Sequence, residues 1–98
     1  MTPRISVRSG KLSDAAREHI DKACEKLPHF CDRIIDCEVI VDKQKLSVIV
    51  EFIVKVPNQK LVASAHNEDE NLFKAIDEAE SRLERQLKRY HDKLVDHR

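Results

Sequence analysis

The chain has 98 residues, of which 41% are apolar and 37% are charged, and its formal net charge is zero. This length allows one hydrophobic core, so we predict a single domain over residues 1–98. No segment approaches the roughly 20 apolar residues of a membrane-spanning helix or contains the apolar part of a secretory signal, which predicts a cytoplasmic protein without a membrane partner.

The first elements predicted along the chain are a strand and a helix. Alternating apolar and polar residues over Ile5–Arg8 are typical of a short strand, which the following Ser-Gly-Lys segment ends. Ser13 can cap a helix that begins at Asp14 and extends to about Phe30, although Pro28 is expected to disturb its last turn. Apolar residues recur there at helical spacing, at Ala16, Ile20, Cys24, Leu27 and Cys31.

Three strands joined by two polar turns are predicted next. Cys37–Val41 alternates apolar and polar residues, and the DKQK segment after it is typical of a turn. Leu46–Val56 has an apolar residue at every even position, which is the strongest strand pattern in the chain. Pro57 fixes φ and Asn58 tolerates unusual backbone angles, so a second turn precedes a fourth strand at Leu61–Ala65.

The rest of the chain, from about Asp69 to Val95, predicts one long helix. Its apolar residues lie within about 40° of one line on a helical wheel, which makes a narrow seam. They are Leu72, Ile76, Ala79, Leu83, Leu87, Tyr90 and Leu94. We expect Tyr90 in the core and Phe73 to anchor this helix against the sheet.

The predicted fold class is α+β, with the element order β-α-β-β-β-α. Each helix must cover apolar sheet surface, because each has only one apolar side. We therefore predict a four-stranded sheet with both helices side by side on one face and the other face in contact with solvent.

Charged residues separate onto opposite flanks of both predicted helices. In the last helix, with Leu83 at zero, cations fall between about 200° and 280° and acids between about 60° and 120°. The cations are Arg82, Arg85, Arg89 and Lys93, and the acids are Asp77, Glu80 and Glu84. In the first helix, with Ile20 at zero, Lys22, Lys26 and His19 lie on one flank and the four acids lie on the other, whereas the basic Arg17 is an exception at about 60°. If the cationic flanks face each other, they would merge into a basic surface along the groove between the helices.

A cationic strip on two helices matches an RNA phosphate backbone. The candidate contact residues are Lys22, Lys26, Arg82, Arg85, Lys88, Arg89 and Lys93. Three alternatives remain open: charged faces that are merely solvated, a protein-interaction domain, and a generic binder of double-stranded RNA. Solvated faces predict ion pairs one turn apart, such as Glu78 with Arg82 and Lys88 with Asp92.

The residues of catalytic and metal sites do not form recognisable patterns in this chain. Cys24, Cys31 and Cys37 have no C-x-x-C spacing, and their odd number argues against a disulfide framework. The histidines form no H-E-x-x-H motif, and the chain has one Gly, which excludes a Gly-rich phosphate loop. We predict no metal, no cofactor and no catalysed reaction.

Two segments carry a family resemblance. DENLFKAIDEAESRLERQLKRYHDKL resembles the last helix of the family of ribosome hibernation promoting factors and ribosome-associated inhibitors. The matching positions are Leu72, Phe73, Ala75, Ile76, Asp77, Leu83, Arg85, Gln86, Leu87, Lys93 and Leu94. AAREHIDKACEKLPHFCDRI resembles the first helix of that family, at Arg17, Lys26, Leu27, Asp32, Arg33 and Ile34. The resemblance covers essentially the whole chain, with the same order of elements.

The resemblance implies a factor that binds the small ribosomal subunit near its decoding centre and inhibits translation by occupying the sites of messenger and transfer RNA. The family's basic side chains contact ribosomal RNA phosphates, which by matching positions implies Lys26, Arg82, Arg85, Arg89 and Lys93. This chain departs from the family at Ala23 and His91, where Lys is frequent.

The length of the chain adds an expectation to this resemblance. Because it stops soon after the last helix, it is similar to the family's short form, which together with a separate ribosome modulation factor favours paired, inactive ribosomes. We favour a monomer for the free protein.

Overall fold

Four strands and two helices share one hydrophobic core. The computed structural model describes residues 2–68 and 71–96. The elements are β1 Arg4–Arg8, α1 Asp14–Lys26, β2 Asp36–Lys43, β3 Val48–Val56, β4 Gln59–Asn67 and α2 Leu72–Asp96. The α+β class and the element order predicted from the sequence are confirmed.

The strands form one sheet in the order β1-β2-β3-β4. β1 and β2 are parallel, whereas β2, β3 and β4 pair antiparallel. The register places Val39, Phe52 and Ala63 side by side, all of them buried. Both helices cover this face: α2 packs on β3 and β4, and Cys24 of α1 has its Sγ 3.7 Å from Cys37 Sγ of β2. Helices on one face of the sheet, as predicted, are confirmed.

The two helices run side by side in the same direction. β1 and β2 are parallel, so α1 must return antiparallel to both. Two antiparallel pairings make β4 parallel to β2, and α2 then returns from the end of β4 in the direction of α1. The early part of α2 therefore lies beside the early part of α1, which decides which charges meet in the groove between them.

Ser13 begins α1, as the sequence predicts. Its Oγ accepts a hydrogen bond of 3.1 Å from the backbone N–H of Ala16. We expect Ser13→Ala to lower the free energy of unfolding by about 1 kcal/mol, because that N–H would lose its partner. Urea denaturation measures this change. Ser81→Ala, at an exposed position of α2, is the matched control and should change stability by less than about 0.5 kcal/mol. Equal stability of Ser13→Ala and the wild type would contradict this contribution.

The end of α1 and the start of β3 differ from the sequence prediction. α1 ends at Lys26, and Leu27–His29 forms a 3₁₀ turn that contains Pro28, the residue expected to disturb the helix. The prediction that β3 begins at Leu46 is wrong, because Leu46 is 73% exposed. It lies in a turn in which the Gln44 N–H donates a hydrogen bond of 2.9 Å to the Ser47 carbonyl. Alternation of apolar residues alone could not reveal this turn.

The start of α2 is fixed by a cap. Asn71 Oδ1 accepts a hydrogen bond of 3.1 Å from the backbone N–H of Lys74, so the helix begins at Leu72. The predicted start at Asp69 lies outside the described residues. At the other end of α2, Leu94 is 37% exposed, so the buried seam ends at Tyr90. The Tyr90 hydroxyl donates a hydrogen bond of 3.2 Å to the Pro57 carbonyl. The core position predicted for Tyr90 is confirmed.

Phe73 does not anchor α2 against the sheet, so that prediction is wrong. Its side chain is 42% exposed. Its ring meets the ring of His19 on α1 edge to face, with 5.0 Å between the centroids. Phe73 therefore joins the first turn of α2 to α1. Within the described residues, neither helix is long and apolar enough to cross a membrane.

Candidate nucleic-acid interface

One flank of α2 faces the free edge of β4. Arg82 Nη1 donates a hydrogen bond of 2.5 Å to the Ser64 carbonyl, and Gln86 Nε2 donates one of 2.7 Å to the Val62 carbonyl. Arg89 and Lys93 continue this flank and line a shallow cleft of about 270 Å³ with β4. With Arg85, which points further outward on the wheel, these exposed cations form what we call the α2 cation row. Its members are Arg82, Arg85, Arg89 and Lys93.

The opposite flank of α2 carries its carboxylates and faces α1. Asp77 Oδ1 lies 2.7 Å from His19 Nε2 of α1. Glu80 follows one turn later and lies near both His19 and Lys26 of α1. Glu84 is one further turn along the same side. We call Asp77, Glu80 and Glu84 the acid row.

The cations of α1 lie beside the acid row. Lys22 and Lys26 are exposed, and Lys22 Nζ pairs with Glu18 Oε1 at 3.3 Å across one turn of α1. The α2 cation row is on the side of α2 that faces away from α1, because its member Arg82 hydrogen-bonds to β4. The structure therefore brings Arg82, Arg85, Arg89 and Lys93 together and separates Lys22 and Lys26 from them. The two cationic flanks do not merge along the groove between the helices.

Lys88 occupies an intermediate place. It lines, with His91 and Asp92, a cleft of about 490 Å³ whose other wall is Pro28–Asp32, the segment that follows α1. Lys88 thus lies on the α1 side of α2, one turn beyond the last member of the acid row. It is the candidate residue placed between the two groups of cations.

The two ion pairs that were expected on α2 if its charged faces are merely solvated, Glu78 with Arg82 and Lys88 with Asp92, are not formed. Arg82 bonds the Ser64 carbonyl instead of Glu78, and Asp92 approaches His91 at 4.0 Å instead of Lys88. Across the described part of the chain, no carboxylate oxygen lies within 4.0 Å of a side-chain nitrogen of the α2 cation row. These cations keep their charge available to an external anion.

Glu80 is the buried carboxylate at this surface. It is 8% exposed, and its Oε2 has no hydrogen-bond partner among the described residues. Burial raises the pKa of the Glu80 carboxyl above its ordinary value, and the nearby Lys26 ammonium offsets part of that rise. Sequence analysis located Glu80 on the acidic flank but did not predict its burial, because the wheel does not show which neighbour covers a flank.

The buried Glu80 should make stability depend on pH. Because its pKa is raised in the folded state, the stability linked to this group is complete below the ordinary carboxyl pKa and is lost as pH rises through the folded-state pKa. Glu80→Gln cannot titrate, so its stability relative to the wild type should increase between about pH 4 and about pH 7. Urea denaturation at both pH values measures this difference. A difference that is constant or falls with pH would contradict the proposed cost of burial.

The described residues hold no group of three or more His, Cys, Asp or Glu side chains arranged to bind a metal ion. The three cysteines are free and buried. The contact with the Cys37 thiol and the burial of Cys24 itself raise the pKa of Cys24, which keeps that thiol protonated. A buried neutral thiol packs as a small apolar side chain, so these residues belong to the core and not to the surface site.

Comparison with known proteins identifies the family to which this chain belongs. A family model described as "Sigma 54 modulation protein / S30EA ribosomal protein" matches residues 4–95. The chain belongs to this family. Its members are binding factors and not enzymes, in agreement with the sequence prediction that no reaction is catalysed.

Individual relatives match nearly the whole chain. A ribosome hibernation promoting factor of Azotobacter vinelandii is 30% identical, over 98% of this chain and 88% of the relative. A ribosome-associated factor Y of Haemophilus influenzae is 32% identical, over 95% of this chain and 85% of the relative. The structure of a ribosomal subunit interface protein from Coxiella burnetii superposes with a TM-score of 0.80 at 29% identity, covering 94% of this chain and 99% of that one. The family resemblance read from the sequence is confirmed.

Proposed function

We propose that this chain is a ribosome hibernation factor that binds the small ribosomal subunit near the decoding centre, where it blocks the sites of messenger and transfer RNA and inhibits translation. The α2 cation row is the observation that carries this proposal. In it, exposed cations follow one side of a helix and have no carboxylate partner among the described residues. Such an array suits the phosphates of RNA.

The attachment of α2 to β4 supports this role physically. The bonds from Arg82 and Gln86 to β4 carbonyls fix the rotation of the helix about its axis. Arg85, Arg89 and Lys93 are then presented from a rigid element, so less conformational entropy is lost when they meet a phosphate. Only four per cent of the residues are aromatic, and Tyr90 is buried, so recognition should depend on phosphates and shape more than on base stacking.

The full proposed contact set joins both helices. It consists of Lys22, Lys26, Arg82, Arg85, Lys88, Arg89 and Lys93. The relatives named as hibernation promoting and ribosome-associated factors favour the ribosome as the partner. We further propose that the chain acts in the cytoplasm as a monomer and, with a separate ribosome modulation factor, favours paired ribosomes.

Sedimentation with separated ribosomal subunits tests the proposed function. The protein should co-sediment with small subunits and not with large subunits, and log affinity should fall linearly with log salt concentration. Equal binding to both subunits, or displacement from small subunits by an equal mass of unrelated duplex RNA, would favour a generic RNA binder. Small-subunit binding that is insensitive to salt would favour a protein-interaction domain. Absence of binding to either subunit would overturn the function.

A further inference from the structure

The acid row lies between the two groups of proposed RNA contacts. Asp77 contacts His19, and Glu80 lies near Lys26, so these carboxylates stand at the groove between the helices. Lys22 and Lys26 are on the α1 side of this row, and the α2 cation row is on the other side, against β4. The groove between the helices would be the shortest route for one RNA strand to reach both groups, and its α2 wall therefore carries negative charge.

The two helices lie close enough together for the charges of the acid row to act on an RNA phosphate in the groove between them. Packed helices have axes about 8–10 Å apart, and the Debye length in physiological salt is about 8 Å. A phosphate placed over the groove would thus lie within about one Debye length of the acid row and would be repelled by it. Glu80 belongs to this row and is 8% exposed, and its Oε2 accepts no hydrogen bond from a described donor. Coulomb repulsion in such a partly desolvated site is stronger than in water.

We propose that the acid row is a selectivity element: it prevents one flexible RNA strand from binding both helices, and it admits folded RNA that presents two separate phosphate backbones, one to each group of cations. Flexible single strands can then engage only one group at a time. A rigid ribosomal RNA surface with two backbones at the right spacing can engage both without a phosphate over the groove. This inference rests on the proposed function, because it assumes that both groups contact RNA.

The zero net charge is consistent with this division of roles. A cationic surface of uniform sign attracts any nucleic acid, and abundant non-specific sites compete with the specific one. Repulsive groups placed against the wrong partner are a general route to specificity. The acid row supplies such a group at the centre of the surface, whereas the acids on the outer flank of α1 are distant from the α2 cations.

The test compares two charge-matched double variants. Glu80→Gln/Glu84→Gln removes two charges from the acid row, and Asp21→Asn/Glu25→Gln removes two from the outer flank of α1. Fluorescence anisotropy at low salt gives the dissociation constant of each for a short uridine homopolymer, and sedimentation gives that for small subunits. We expect the acid-row variant to bind the homopolymer about fivefold or more tightly than the control variant, with a much smaller change for small subunits.

Three results would overturn the inference. They are no tighter homopolymer binding by the acid-row variant, an equal gain in the outer-flank control, or an equal gain for small subunits and homopolymer. If the wild type does not bind small subunits, the proposed function fails, whereas the homopolymer comparison still reports on the acid row. Because Glu80 is buried, thermal melting checks folding, and the single pair Glu84→Gln and Glu25→Gln repeats the comparison without changing Glu80.

Discussion

Reversing the charge of the α2 cation row should weaken binding to small subunits by at least about 100-fold. The variant is Arg85→Glu/Arg89→Glu/Lys93→Glu, which leaves the bond from Arg82 to Ser64 intact. Hydrogen bonds to charged groups contribute about 1.5–3 kcal/mol each, and a loss of about 1 kcal/mol at each of three phosphate contacts already gives this factor. Repulsion between the new carboxylates and RNA adds to the loss. Titration of labelled protein with small subunits measures the affinity.

A second variant controls for the change in net charge. Lys45→Glu/Lys55→Glu/Lys60→Glu replaces three exposed lysines of the turns and the outer sheet face, away from the helices. Its net charge equals that of the α2 variant, so steering at long range should be affected equally. We expect it to lose less than about tenfold in affinity, mainly through slower association. Similar losses in both variants would contradict a localised contact surface and leave only a general effect of charge.

Salt dependence gives the same prediction an independent readout. For double-stranded nucleic acid, each neutralised phosphate contributes about −0.9 to the slope of log affinity against log salt concentration. Three lost contacts should therefore make the slope of the α2 variant less steep by about two to three. The control variant should keep the slope of the wild type, because its lysines face away from the bound RNA.

Much of the fold was predictable because it depends on local periodicity. The residues at the even positions of β3, from Val48 to Val56, are all apolar and all buried. The α2 seam recurs at three and four positions and is buried as far as Tyr90. A pattern that repeats for several turns or strand pairs indicates both the element and its buried side. The cap at Ser13 and the turn at Asn58, which has φ of 71°, follow from residue type in the same way.

The errors occurred where a local pattern competes with a neighbour that the sequence does not show. Leu46 fits the alternation of β3, but the hydrogen bond between Gln44 and Ser47 closes the hairpin turn around it. Phe73 lies off the seam, and its partner proved to be His19 of the other helix and not the sheet. Both outcomes depend on contacts that the spacing of apolar residues does not show.

The candidate site shows the same division. The helical wheel correctly separated cations from acids on α2, because that separation depends only on the rotation per residue. It could not show that the acids face α1 and the cations face β4. That outcome depends on the parallel direction of the helices and on the bonds from Arg82 and Gln86 to the edge strand. The sequence left open whether the cations form one continuous strip, and the structure has two groups with the acid row between them.

Occupancy of the decoding region predicts that this protein and transfer RNA exclude each other on the small subunit. Two large ligands that require the same space cannot bind together, so saturating protein should displace transfer RNA completely and raise its apparent dissociation constant in proportion to protein concentration. The Arg85→Glu/Arg89→Glu/Lys93→Glu variant should displace it only at concentrations at least about 100-fold higher, in line with its expected loss of affinity.

The most direct measurement is therefore the fraction of transfer RNA that stays bound to messenger-programmed small subunits as the protein is titrated. We predict that this fraction falls to zero as the protein saturates its site, and that excess transfer RNA reverses the effect. A plateau at which both molecules are bound to the same subunit would contradict occupancy of the decoding region, even if the protein binds small subunits tightly.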